Sequence, residues 1–132
     1  MELRRIEPEE AKRLLDSDEG YTYLDVRTAE EFRDGHVPGS VNIPIAVRNP
    51  QGPGLTPNPD FVAQVEKCFA KDSKLITACL RGGRSMKAAG ALIASGFGDV
   101  VDMRGGYDGE LAPGGLVVFA GWARRGLPTT TG

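Results

Sequence analysis

A chain of 132 residues has room for one domain and not for two full cores. Its composition, 40% hydrophobic and 26% charged, is that of an ordinary globular protein, and a net charge of -2 leaves no overall basic field to draw nucleic acid. No run approaches the ~18 consecutive apolar residues of a membrane span, and the charged N-terminal stretch has no secretory apolar region, so the expected compartment is the cytoplasm, with Cys68 and Cys79 as thiols.

In chain order, Leu3 to Ile6 reads as a short strand or lead-in. Pro8 suits the first turn of a helix whose apolar face is Ala11, Leu14 and Leu15, and Gly20 ends it. "YTYLDV" at 21–26 is a buried strand. Thr28 and Glu31 form a capping-box pattern at the head of a short helix that carries Phe32. A turn at 35–39 leads to a short strand, Val41 to Pro44. Residues 45–59, with four prolines and two glycines, read as a long loop.

Phe61, Val65, Cys68 and Phe69 recur at helical spacing, which places Cys68 in the core. Leu75 to Cys79 is a strand, Ser85 to Ser95 a helix closed by Gly96, and Val100 to Met103 a further strand. Gly105 to Gly115 is glycine-rich and irregular. Leu116 to Arg125 reads as helical, with Trp122 as an anchor. The domain is expected over 1–128, with a fraying tail at 129–132. Alternating strands and helices favour an α/β fold with a mainly parallel sheet.

The stretch "ACLRGGRS" carries the chemistry. Cys79 ends a strand, where ligands collect in open α/β sheets. Glycines then let successive backbone N–H groups turn inward. The following helix points its positive end at the same place, and Arg84 adds a full charge. Such a cradle favours a reactive thiolate. Four residues, Leu80, Arg81, Gly82 and Gly83, separate Cys79 from Arg84. A phosphate-binding loop of this kind has five, so the tighter ring suits a cysteine that carries one extra sulfur.

Three motifs in order, "LDVRTAEEFRDGHVPGSVNIP" at 24–44, "ITACLRGGRSMKAA" at 76–89 and "GWARRGLP" at 121–128, resemble the single-domain rhodanese family of sulfurtransferases. Cys79, Gly82, Arg84 and Ser85 match the family pattern C-x-x-G-x-R-S. The resemblance implies a three-layer α/β/α domain with a central parallel sheet of about five strands. It also implies Cys79 as nucleophile and persulfide carrier, with Leu80, Arg81, Gly82, Gly83 and Arg84 around the substrate. It implies no metal and no organic cofactor. The partners would be a small-molecule sulfur donor and a thiol acceptor, either small or a thioredoxin-like protein, or cyanide in an assay. Two loop arginines favour an anionic donor, thiosulfate. This chain departs from the family at Leu80, where arginine is frequent, and at Arg81, where small residues are.

The same residues leave alternatives. Arg81 faces either substrate or solvent, and Arg48, in the long loop, is a candidate specificity residue. Asp25, Arg27, His36 and Trp122 read as structural. The function alternatives are a persulfide carrier or regulatory binding module, and a phosphatase or arsenate reductase on the same fold.

Overall fold

A chain that alternates short apolar runs with one-faced helices can bury both by laying helices on the two faces of a parallel sheet. The computed structural model, which describes residues 3–132, has this arrangement. Its strands are β1 (Arg4–Ile6), β2 (Tyr21–Asp25), β3 (Val41–Asn42), β4 (Ala46–Arg48), β5 (Leu55–Pro57), β6 (Lys74–Ala78), β7 (Asp99–Met103), β8 (Gly109–Leu111) and β9 (Val117–Ala120). Its helices are α1 (Pro8–Asp16), α2 (Ala29–Asp34), α3 (Phe61–Cys68) and α4 (Gly83–Ala94), with a single 3₁₀ turn at Ala123–Arg125.

The central sheet has the order β1-β7-β6-β2-β3, and every pairing in it is parallel. Alternate residues of the inner strands serve opposite faces. Leu24 and Leu75 pack with Phe61 and Val65 of α3 and with Ala88, Ala89 and Leu92 of α4. Tyr23, Ile76 and Ala78 pack on the other face with Ala11 and Leu14 of α1 and with Trp122. The expected three layers and five parallel strands are therefore present. Asp25 lies level with Ala78, so the turns after β2 and β6 leave the sheet at the same edge and bring Arg27 and Cys79 together there.

Several expectations need correction. Leu116 to Arg125 is not a helix: β9 pairs antiparallel with β8, and one 3₁₀ turn follows. Val117, Val118 and Phe119 are β-formers, and pairing with β8 overrides their apolar spacing. Residues 45–59 contain an antiparallel hairpin, β4 with β5. Cys68 is exposed. It is the last residue of α3, and its neighbour Phe69 takes the place against the core. Trp122 is buried as expected, and its Nε1 donates to Pro128 O at 2.7 Å. Thr130, within the stretch expected to fray, exchanges both backbone hydrogen bonds with His36, and Gly132 N donates to Arg33 O.

Candidate active site

β6 ends at Ala78, and Cys79 opens the turn into α4. Gly82 takes a left-handed φ of 114°, which aims its N–H back at the sulfur. That N–H donates to Cys79 Sγ at 3.0 Å. The thiol lies 3.4 Å from Ser85 Oγ, which itself donates to Gly82 O at 3.3 Å. The first turn of α4 thus closes around a sulfur whose residue is only 2% exposed. Unpaired N–H groups at a helix start and their dipole favour negative charge at this point.

A layer beneath the loop was not legible in the sequence. Asp102 of β7 is fully buried. Thr77 Oγ1 donates to its Oδ1 at 3.0 Å, and Arg5 Nε donates to its Oδ2 at 3.1 Å. Burial raises the Asp102 pKa and outweighs the opposing hydrogen bonds from Thr77 and Arg5. Arg5 also packs under the loop, where a Cβ on Gly82 would meet its Nη2 at 3.0 Å.

The loop is braced from the side by the glycine-rich turn after β7. Tyr107 N donates to Cys79 O at 2.7 Å, and Asp108 N donates to Leu80 O at 3.0 Å. The two backbones meet at Gly106, which has a φ of 63°. A Cβ there would overlap Cys79 O and sit 2.7 Å from Leu80 C.

Each arginine bordering the site is tied to a carboxylate. Arg84 Nη1 and Nη2 donate to Glu31 Oε1 and Oε2 at 2.8 and 3.0 Å. Glu31 is also the capping-box residue: Thr28 N donates to its Oε1 at 3.0 Å, and Thr28 Oγ1 accepts from Glu31 N. Burial would raise the Glu31 pKa, but the Arg84 pair and the Thr28 bonds outweigh it and bring it down to about 2. Arg81 Nη1 donates to Asp108 Oδ2 at 2.7 Å and to Gly109 O at 3.2 Å. Burial opposes ionisation of Asp108 too, yet Arg81 and Arg124 hold its pKa below the usual carboxylate value. Arg27, buried, pairs with buried Asp25 at 2.7 Å, donates to Gly35 O, and lies 4.4 Å over the Tyr107 ring. Asp25 and Arg27 are thus internal scaffold at the site's edge.

A cavity of about 260 Å³ opens beside the loop. Leu80 lines it, together with Arg27, Glu31, Asp34, Tyr107 and Asp108. Cys79, Arg81, Gly82, Gly83 and Arg84 do not line it. Arg48 lies exposed on β4 and does not line this cavity. His36 is buried: its Nδ1 donates to Phe32 O at 2.7 Å and its ring stacks on Phe32, a structural role.

Comparison with known proteins agrees with this fold. The sequence profile of the rhodanese-like domain matches residues 7–111. The chain is 42% identical over 110 residues to thiosulfate sulfurtransferase 16, chloroplastic, of Arabidopsis thaliana, across 83% of this chain and 80% of that one. It is 33% identical over 107 residues to the thiosulfate sulfurtransferase GlpE of Pseudomonas savastanoi pv. phaseolicola, across 81% and 86%. It spans 47–64% of the length of four further plant relatives. The crystal structure of Rv0390 from M. tuberculosis superposes over 100% of both chains with a TM-score of 0.82 at 25% identity. The chain belongs to the rhodanese-like family.

Proposed function

We propose that this protein transfers sulfane sulfur through a persulfide on Cys79. The observation that carries the reading is Cys79 Sγ receiving the Gly82 N–H at 3.0 Å at the head of α4, inside a ring of four residues closed by Arg84. In the first half-reaction the Cys79 thiolate attacks the outer sulfur of a donor. The Sγ–S bond forms as the donor's own bond to that sulfur breaks, and sulfite or a thiolate leaves. Backbone N–H groups of the loop stabilise the terminal persulfide charge, as donors do for a developing oxyanion. In the second half-reaction a thiol, small or on a thioredoxin-like protein, or cyanide takes the outer sulfur and restores the thiolate. The relatives named thiosulfate sulfurtransferases support the same class of reaction.

Intact-mass measurement tests the reading. After incubation with donor, Cys79 should gain the mass of one sulfur atom, removable by cyanide. Cys79→Ala should gain none. A donor-treated protein with no cyanide-removable sulfur at Cys79 would defeat the proposal.

A further inference from the structure

A small dianion is held better where a cation remains that no carboxylate already compensates. The arginines of the loop and of its flank are each paired with a carboxylate, and of the three only Arg27 lines the cavity. Arg27 is held by Asp25, and Arg84 by both oxygens of Glu31. Arg81 is held by Asp108 and Gly109 O. Two loop arginines are expected to favour an anion, and in the structure both are paired with carboxylates. Glu31, Asp34 and Asp108 face the cavity instead.

Arg81 differs from the other two. Its side chain is 42% exposed, against 24% for Arg84 and 3% for Arg27. It belongs to the loop that follows the nucleophile, and its partner Asp108 is shared with Arg124. It is the loop cation that one carboxylate can switch on or off.

We propose that Asp108 is a specificity-determining residue: by neutralising Arg81 it sets the site against dianionic thiosulfate and in favour of organic persulfides of low charge. This inference rests on the sulfur-transfer reading above and narrows its donor. With a persulfide R–S–SH, the Cys79 thiolate attacks the terminal sulfur, the Sγ–S bond forms and the R–S to sulfur bond breaks. R–S⁻ leaves and takes a proton from water. No sulfite dianion forms, so none has to be held beside Asp108 and Glu31. Asp108 acts through Arg81 and is a positioning residue.

The test compares sodium thiosulfate with 2-hydroxyethyl persulfide as donors and cyanide as acceptor, read as thiocyanate. The unmodified protein should have the higher kcat/KM with the persulfide. In Asp108→Asn the ratio of kcat/KM for thiosulfate to that for the persulfide should rise by roughly 2- to 5-fold, the scale of one partly exposed charge. The gain should fall on the KM for thiosulfate and shrink at about 0.5 M salt. In the double variant Arg81→Gln, Asp108→Asn it should vanish. A general loss of structure would lower both donors alike and leave the ratio where it was. An unmoved ratio, a gain in kcat alone, or a gain that survives without Arg81 overturns the inference. Sulfur loading of Cys79 by 2-hydroxyethyl persulfide is scored separately in the unmodified protein. Its absence overturns the sulfur-transfer reading itself. Its presence beside an unmoved ratio overturns the donor inference alone.

Discussion

Arg84 and Glu31 stand 53 residues apart and meet through two parallel hydrogen bonds of 2.8 and 3.0 Å. One carboxylate therefore caps α2 and clamps the arginine that closes the Cys79 loop. With a folded pKa of about 2 against an ordinary 4.5, the carboxylate contributes stability that is complete above about pH 4.5. That contribution is lost as pH falls through about 2, because the proton binds the unfolded chain first. Allowing for solvent screening of a half-buried pair, it should amount to about 2 kcal/mol. Urea unfolding of the unmodified protein and of Glu31→Gln should differ by that amount at neutral pH. The difference should narrow steadily below about pH 4.5. A gap that stays constant down to acid pH would mean the pair contributes no charge-dependent stability.

Gly106 offers a test of how the loop is braced. Gly106 and Gly114 both have positive φ, 63° and 90°, so alanine strains the backbone at either place. Open space surrounds Gly114, whereas a Cβ at Gly106 would run into Cys79 O and Leu80. Gly106→Ala should cost at least about 2 kcal/mol more than Gly114→Ala, since it adds backbone overlap to the strain they share. It should also depress sulfur loading of Cys79 in whatever fraction remains folded. Equal costs in thermal unfolding would show that the turn at 105–109 does not support the loop.

Local patterns made half of this site legible. The Thr28–Glu31 capping box is a contact between close neighbours and was readable, as was the strand, cysteine and glycine order at 74–83. The second task of Glu31 was not, because its partner Arg84 comes from a distant segment. Gly106 read only as part of an irregular stretch, since its constraint is the approach of another backbone. Arg81 could be placed toward substrate or solvent but not on Asp108, which lies 27 residues further along. The helical phase that Cys68 shares with Phe61 and Val65 points it to the core. Phase does not reveal that α3 stops there, with Phe69 turning in behind it.

The position of Cys68 separates the two thiols. α3 ends before β6 begins, whereas Cys79 follows the end of that five-residue strand. Cys68 is exposed at the end of α3, whereas Cys79 is buried under its loop, and the two are not joined in a disulfide. Cys68→Ala should keep most of the sulfur-transfer rate, and Cys79→Ala should have none, as followed by thiocyanate formation. A folded Cys68→Ala protein without activity would reassign the nucleophile.

Loop length separates sulfur transfer from phosphoryl chemistry. Both use a thiolate at a helix start with an arginine nearby, so the residue types alone do not decide. A phosphoryl group presents three non-bridging oxygens, and a ring that binds it must supply donors to all three. A persulfide ends in one sulfur and needs a smaller ring. Here Leu80, Arg81, Gly82 and Gly83 are all that lie between Cys79 and Arg84. The Gly82 N–H is already turned onto Sγ, and both Arg84 Nη groups are on Glu31. The unmodified protein should therefore show negligible hydrolysis of p-nitrophenyl phosphate while it accepts sulfur at Cys79. One glycine inserted between Gly82 and Gly83 should move the start of α4 away from the sulfur and weaken loading by about 10-fold or more, the loss of one well-placed donor. Robust phosphatase turnover by the unmodified protein, or full sulfur loading after the insertion, would show that ring size does not set the chemistry.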